Sequence, residues 1–436
     1  MYKKPARKFS TTRHFAALLL VTGGAFALVL PASAGTTYGI YDARTLAMGG
    51  ASVASAVNDN AQFYNAALLA FNEEIEERTQ DSRFLFPLLI GQISESVVTL
   101  EQLSRDDSSG VLSQSVRDFN EAPNAETARR VVDASGNLDG QLADLENEDL
   151  FADVYLGVSV SEPGDLRGAG FFMGTRLLAG GSPSVSSADR ETLGAYREGL
   201  LFIASNGTQG VEHPELFDAN GELIDPGNNY DSTASAAGLA LTEAGVSLSR
   251  QFQFLGSPIA AGLSFKVQRV DTFEDTQRVV DNRIDTERNS ENDGNINFDI
   301  GLAKNFGSHW RAGFAVKDVI AHDYVTSQGT TIRLRPRPRL GLAYQNRRLQ
   351  IAADADLTSN EPLGSESATQ EFALGAEWTL APLGKLRAGY RYDFQGNRNE
   401  VLSVGAGTVW KRLAIDAAYA QGSSTRALAL QFGIVF

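Results

Sequence analysis

Four arginines recur at every second position of one stretch: Arg333, Arg335, Arg337 and Arg339. In a strand that spacing puts all four guanidinium groups on one face. Ile332, Leu334, Pro336, Pro338, Leu340 and Leu342 fall on the other. Asp354 and Asp356 sit two apart in the next apolar stretch and supply carboxylates to the same side. Such a ladder can bind an anion, for example a carboxylate headgroup. It can equally close with the carboxylates into a charge-balanced network. Glu371, Glu377, Arg387, Arg391, Asp393 and Asp416 extend the same pattern in later segments. No catalytic constellation accompanies them. The histidines, His14, His213, His309 and His322, have no metal-ligand spacing. Ser308 and His309 are neighbours at an expected turn, not a nucleophile and base on separate elements. Gly405-Ala406-Gly407 lies inside a strand pattern and does not open a helix. Asp218-Ala219-Asn220-Gly221-Glu222 is too short for an EF-hand and reads as a polar turn. There is no cysteine, which removes thiol chemistry, disulfides and Cys zinc sites. Neither an enzyme nor a cofactor or metal is expected.

The elements that would hold this ladder are strands. From residue 151 onward, segments with period-two alternation follow one another: 151–160, 168–178, 240–254, 258–272, 294–306, 308–319, 329–344, 346–357, 368–380, 384–394, 400–410, 412–421 and 426–436. One face of each is uniformly apolar, as in Leu428, Leu430, Phe432, Ile434 and Phe436 at the end of the chain. The opposite face is small, polar or charged. Four arginines facing lipid would cost about 2–4 kcal/mol each near the bilayer midplane, so they must face a lumen. Connections alternate between short (161–167, 255–257, 307, 345, 381–383, 411) and long (179–239, 273–293, 320–328, 358–367, 395–399, 422–425). Short turns on one side and long loops on the other mark a membrane β-barrel. Thirteen strands leave the termini on opposite sides. Adding 82–91, despite Pro87, makes fourteen. The expected fold is therefore all-β: a transmembrane antiparallel β-barrel of about 14 strands, spanning 82–436, whose last strand must pair with its first. Residues 92–149 have helical spacing and many polar residues, and predict an excursion of two or three short helices. Residues 179–239 predict a long loop.

The first 34 residues are set apart. Lys3, Lys4, Arg7, Lys8 and Arg13 precede an apolar run, Phe15–Leu30, and the small-x-small triplet Ala32-Ser33-Ala34. This is a signal-peptide pattern with cleavage expected between Ala34 and Gly35. The chain carries 38 Lys+Arg against 53 Asp+Glu, a formal net charge of −15. So acidic a surface argues against nucleic acid as a partner. Export without cysteine suits the outer membrane of a Gram-negative cell. Outer-membrane lipid, lipopolysaccharide and the barrel assembly machinery would be its partners, and Phe436 its terminal assembly signal.

Residues 35–81 are rich in Gly and Ala and have no strand period. Ala43-Arg44, Met48-Gly49-Gly50-Ala51, Asn58-Asp59, Ala61 and Phe63-Tyr64-Asn65-Ala66-Ala67-Leu68 resemble the N-terminal segment of the FadL-like outer-membrane barrels. These are the long-chain fatty acid transporters and their relatives. Within them the chain is most similar to the group labelled conjugal transfer protein TraF. The resemblance implies fourteen strands and a plug at 35–81 inside the barrel, with Met48, Gly49, Gly50, Asn58, Asp59, Tyr64 and Asn65 as its motif. Ala66 stands where the superfamily usually has Pro. It also implies passive passage of a hydrophobic small molecule. The alternative is a structural envelope protein without transport, with conjugation or secretion partners.

Overall fold

The structure, a computed structural model, describes residues 33–34, 36–57, 59–71, 83–146, 148–206, 213–226, 230–254, 257–281, 290–361, 363, 367–380 and 384–435. All of them belong to one compact unit, Ser33–Phe436. Gly35, Asn58, Phe436 and nearly all of the signal segment lie outside the described residues. So do residues 72–82, the end of the expected plug.

Fourteen antiparallel strands close into a barrel. They are β1 (Arg83–Ser94), β2 (Leu150–Glu162), β3 (Arg167–Ser184), β4 (Thr233–Phe254), β5 (Ser257–Arg278), β6 (Ser290–Phe306) and β7 (Trp310–Lys317). They continue as β8 (Arg337–Gln345), β9 (Leu349–Asp356), β10 (Glu371–Leu380), β11 (Gly384–Asp393), β12 (Val401–Trp410), β13 (Leu413–Gly422) and β14 (Thr425–Val435). Each pairs with the next, and β14 closes on β1 from Thr425↔Ser94 to Val435↔Arg83. The closing pair is the one that the strand count required. Pro87 is absorbed by a bulge: the register of β1 shifts between Leu85 and Leu88 against β2, and between Gln431 and Gly433 against β14.

Alternation sets which face is which. On β14, Leu428, Leu430 and Ile434 point outward and are exposed, while Ala427, Ala429 and Gln431 are buried. The same holds for Ile296, Ile300 and Leu302 on β6, and for Leu374 and Trp378 on β10. A continuous exposed apolar exterior has no stable place in water but suits lipid. Trp310, Trp378 and Trp410 are all exposed and all sit at the short-turn end, where an interfacial belt would hold them. Among the described residues no helix is long and apolar enough to cross a membrane. Placing a charge on the outer wall tests this assignment. Leu430→Arg should destabilise the barrel in lipid by about 2–4 kcal/mol if it lies near the midplane. Gln431→Arg, one residue on and facing inward, should not show that depth-dependent penalty; urea titration in bilayers reads both.

The wall is uneven. β4 and β5 have 22 residues each, whereas β7 and β9 have 8. A tilted membrane strand needs only about 9–11. β7 pairs only with Ile300–Phe306 of β6, next to the short turn, so the rest of β6 and the paired ends of β4 and β5 rise beyond it on the long-loop side.

One predicted strand is corrected. The 329–344 segment is not one wall strand. Thr331–Leu334 pairs with His322–Val325 as a small separate hairpin, and β8 begins only at Arg337. The cause is Pro336. Proline offers no N–H to a ladder and restricts the residue before it, so the wall strand cannot extend back through 335–336. Sequence alternation continues across this break because both short strands are amphipathic.

The helical excursion is a cap with its own core. Three helices follow β1: α3 (Glu95–Asp106), α4 (Ser108–Glu121) and α5 (Ala125–Leu145), after two short helices, α1 (Ala43–Ala47) and α2 (Ala61–Tyr64), in the plug. A fourth, α6 (Ser187–Asn206), occupies the segment expected to be a loop. Leu193, Tyr196, Leu200 and Ile203 of α6 pack with Leu112, Val116, Val131, Leu138 and Leu142. The period of α6 is helical, but Gly194, Gly199 and its charged residues mask it in the sequence. α5 starts with a capping box: Asn124 Oδ1 accepts from the Thr127 amide at 3.1 Å, and Thr127 Oγ1 accepts from the Asn124 amide at 3.1 Å.

Candidate functional site

The plug fills the lumen between α1 and the end of residue 71. Almost every described residue from Thr36 to Phe71 is buried. Asp42 caps α1 by accepting from the Thr45 amide at 3.0 Å. The Tyr64 hydroxyl donates to Asp42 Oδ2 at 2.6 Å and accepts from the Tyr41 amide at 2.8 Å. Tyr64 therefore ties the start of the plug to its end. Asn65 does a second tie: Nδ2 donates to Val53 O at 2.8 Å and to Leu302 O of β6 at 3.0 Å, and Oδ1 accepts from the Ala67 amide. Ala66 opens a 3₁₀ turn, Ala66–Ala70. Proline would fit at that first position, so its absence costs no hydrogen bond. Met48, Gly49 and Gly50 follow α1, and both glycines have positive φ. Asp59 Oδ2 accepts from Arg83 of β1 at 2.7 Å.

The wall makes room for this backbone. A Cβ at Gly389 of β11 would fall on the amide nitrogen of Gly49, and one at Gly262 of β5 on that of Ala67. Small residues at those points let two backbones touch.

Charge fixes the plug to the wall. Arg337 pairs with Asp318 and donates to Thr37 O at 2.5 Å. Arg339 pairs with Asp356 at 2.5 Å and Glu371 at 3.2 Å, and its guanidinium lies 4.5 Å from the centre of the Tyr38 ring. Asp354 Oδ2 accepts from the amides of Ser52 and Val53 at 2.7 and 2.8 Å. Arg44 of the plug reaches Glu377 at 2.9 Å and Gln350 at 2.6 Å. Glu377 also takes Arg387, which continues to Asp416 at 2.6 Å. The four-arginine ladder is thereby corrected to two and two. Arg333 and Arg335 lie outside the wall, in the hairpin, half-exposed and partly exposed, facing Glu361 and Asp323. Only Arg337 and Arg339 enter the lumen, and both are already paired.

A second charged group was not among the sequence candidates. Lys266 of β5 is buried among Glu243 (3.1 Å), Asp299 (2.9 Å) and Asp318 (2.6 Å). Arg176 of β3 binds Asp153 at 2.7 Å and Thr37 O at 3.1 Å. Lys317 donates to Phe63 O at 3.0 Å and stands 3.9 Å from the Tyr41 ring centre. Their sequence signal was available: each interrupts the inward face of an otherwise apolar or small-residue strand. They go unnoticed because single charges, unlike the run at 333–339, form no pattern.

The lumen changes chemistry along its axis. The inward face of β4 reads Leu239, Leu241, Glu243, Gly245, Ser247, Ser249 from the long-loop end inward. Leu239 pairs across to Leu178 of β3, and Leu241 to Val270 of β5. The hairpin covers these leucines, with Tyr324, Ile332, Leu334 and also Leu363 packed against them. Its tip is held by Glu274 of β5, which accepts from Thr326 Oγ1 at 2.5 Å and Thr330 Oγ1 at 2.7 Å. At the short-turn end, under the plug, lies a polar cavity of about 200 Å³. Asp42, Arg44, Asp59, Lys385, Arg387 and Asp416 line it.

The remaining motifs are local. Asp218 Oδ1 accepts from the amides of Asn220 and Glu222, both at 2.9 Å, and Phe217 bridges Leu223 as in a hairpin. Those amides hold the Asp218 carboxyl below its ordinary pKa. Ser308 and His309 share a hydrogen bond of 2.7 Å on an exposed turn, and His309 stacks on Tyr344. His213 and His322 belong to the cap and the hairpin.

A closed barrel with an apolar exterior and an ion-paired internal plug defines a plugged membrane-spanning β-barrel. The chain belongs to the family described as F plasmid transfer operon, TraF, protein, whose model matches residues 62–356. No curated protein matches it. Among solved structures it is similar to a Pseudomonas aeruginosa FadL homologue, with 12% identity, a TM-score of 0.48, and 92% of this chain and 100% of that one covered. It is also similar to the Pseudomonas putida toluene transporter TodX, with 12% identity, a TM-score of 0.43, and 92% and 98% covered.

Proposed function

We propose that the protein is an outer-membrane channel for small hydrophobic molecules, closed at rest by its plug and its hairpin. The observation that carries this reading is the apolar outer lumen at Leu178, Leu239, Leu241 and Val270. A water-filled pore lines its interior with polar groups. Leucines on the inward face of a barrel strand instead favour an apolar solute over water and ions. The hairpin residues Tyr324, Ile332 and Leu334 occupy the space such a solute would take. Below them the plug and its ion pairs block the way, so passage requires the plug to shift.

Replacing residues 321–335 with a short Gly-Ser linker tests the reading. Entry of a hydrophobic fluorescent dye into cells should quicken relative to the intact protein, and the intact protein should exceed cells without it. Dye entry equal in all three strains, with the barrel folded in the outer membrane, overturns the channel reading. The ion-paired filling at the plug favours the second reading, an envelope protein without transport. A conjugation or secretion defect on deletion, with unchanged dye entry, would establish that one.

A further inference from the structure

The cap holds a pocket that the barrel does not need. It lies between α6 and residues 215–226 with Tyr230, and has a volume of about 420 Å³. That is within the roughly 300–1,000 Å³ of small-molecule sites. Tyr196, Tyr230, Leu216 and Ile224 form its body, and Glu191 and Glu215 stand exposed at its edge. Among the described residues no Lys, Arg or His lines it. The two arginines of α6 are engaged elsewhere: Arg190 reaches Asp139 at 2.9 Å and Glu146 at 2.8 Å, and Arg197 reaches Asp139 at 3.8 Å. His213 is outside the lining but hydrogen-bonds Glu215 at 2.8 Å. The third carboxylate, Asp189, is spent on the amides of Asp231 and Ser232. Tyr196 donates its hydroxyl to Ile224 O, which joins the two walls. The buried Tyr230 hydroxyl has no hydrogen-bond partner among the described residues.

Aromatic faces and aliphatic side chains beside carboxylates, with no competing cation, select one chemistry. An aromatic ring attracts a cation through its quadrupole, and the carboxylates add charge. We propose that this pocket binds an organic cation with a compact apolar body, a quaternary or protonated amine. The excess of Asp and Glu over Lys and Arg in 95–149 and 185–232 raises the local concentration of such cations at the outer face. The assignment is independent of whether the barrel conducts.

The test uses the full chain in a non-ionic detergent at low salt. The probe is phenyltrimethylammonium, with tert-butylbenzene as its neutral isostere, and saturation-transfer NMR or calorimetry as the readout. Saturable binding of the cation is expected, with none of the isostere. Glu191→Gln with Glu215→Gln should weaken it about tenfold, and so should Tyr230→Ala. The glutamates are exposed, so the double variant leaves the core of the cap intact, and heat-modifiable gel migration confirms the barrel. Equal binding of both probes, unchanged affinity in the double variant, or no saturable binding overturns the proposal.

Discussion

Arg339→Ala should lower the stability of the folded barrel by about 3–5 kcal/mol, whereas Arg333→Ala should change it by less than about 1 kcal/mol. The two residues stand six apart in one alternating run, yet their surroundings differ completely. Arg339 is buried against Asp356 and Glu371 and sits over the Tyr38 ring of the plug. Removing it takes away the ion-pair partner of Asp356 and leaves Glu371 with Arg391 at 3.8 Å in a closed interior, and an uncompensated buried charge is expensive. Arg333 is half-exposed and pairs with Glu361 at 3.2 Å on the surface, where an ion pair contributes little. The urea midpoint of heat-modifiable migration measures both. Protease cleavage within 36–71 should also appear in Arg339→Ala, because its contact to Gly50 O at 3.4 Å helps hold the plug. Equal effects at the two positions would contradict the division of the ladder.

Gly389→Val should open the barrel without unfolding it. The side chain would enter space that the backbone of Met48 and Gly49 occupies. Backbone cannot rotate aside as the end of a side chain can, so either β11 bows or the plug moves. β11 is held on both edges, by ten pairings to β10 and seven to β12. The plug is tied to the wall here by fewer bonds, Ser403 Oγ to Ala47 O at 3.1 Å and the Arg339 guanidinium to Gly50 O at 3.4 Å, so it is the element that yields. Conductance in planar bilayers should rise from the low level of the intact protein to a sustained open level, and 36–71 should become accessible to protease. Conductance indistinguishable from the intact barrel would show that the plug does not control the passage.

The wall was legible because lipid and lumen impose opposite demands on neighbouring residues. Leu428, Leu430 and Ile434 against Ala427, Ala429 and Gln431 state the two faces outright. The parity of the loops supplied β1, a strand that Pro87 makes weak when judged alone. Three things were less legible. The break at Pro336 separates two amphipathic strands that keep the same phase, so alternation alone cannot see it. α6 is a helix whose apolar stripe is diluted by glycine and charge, and only its packing on α5 fixes it. The lumen network is contact between residues such as Arg44 and Glu377, 333 positions apart in the chain. Nothing in local spacing pairs them. The inward placement of Arg337, Arg339, Asp354 and Asp356 could be read from period two, but not that Arg337, Arg339 and Asp354 were already committed to the plug and Asp356 to Arg339.

The unequal strand lengths bear on how anything reaches the mouth. β4 and β5, at 22 residues, stand well above β9 to β14, at 8 to 11. At about 3.3 Å per residue the excess is several tens of ångströms along the strand, less the tilt. The rim is therefore cut obliquely, like the end of a quill. Its low side is the sector of β9 to β14, and its high side rises beside the cap. A solute dissolved among the lipids or their sugars has a shorter climb over the low rim than one arriving from bulk water meets at the raised side. On the channel reading proposed above, such a rim would collect along the membrane surface, with the tall wall as a backstop.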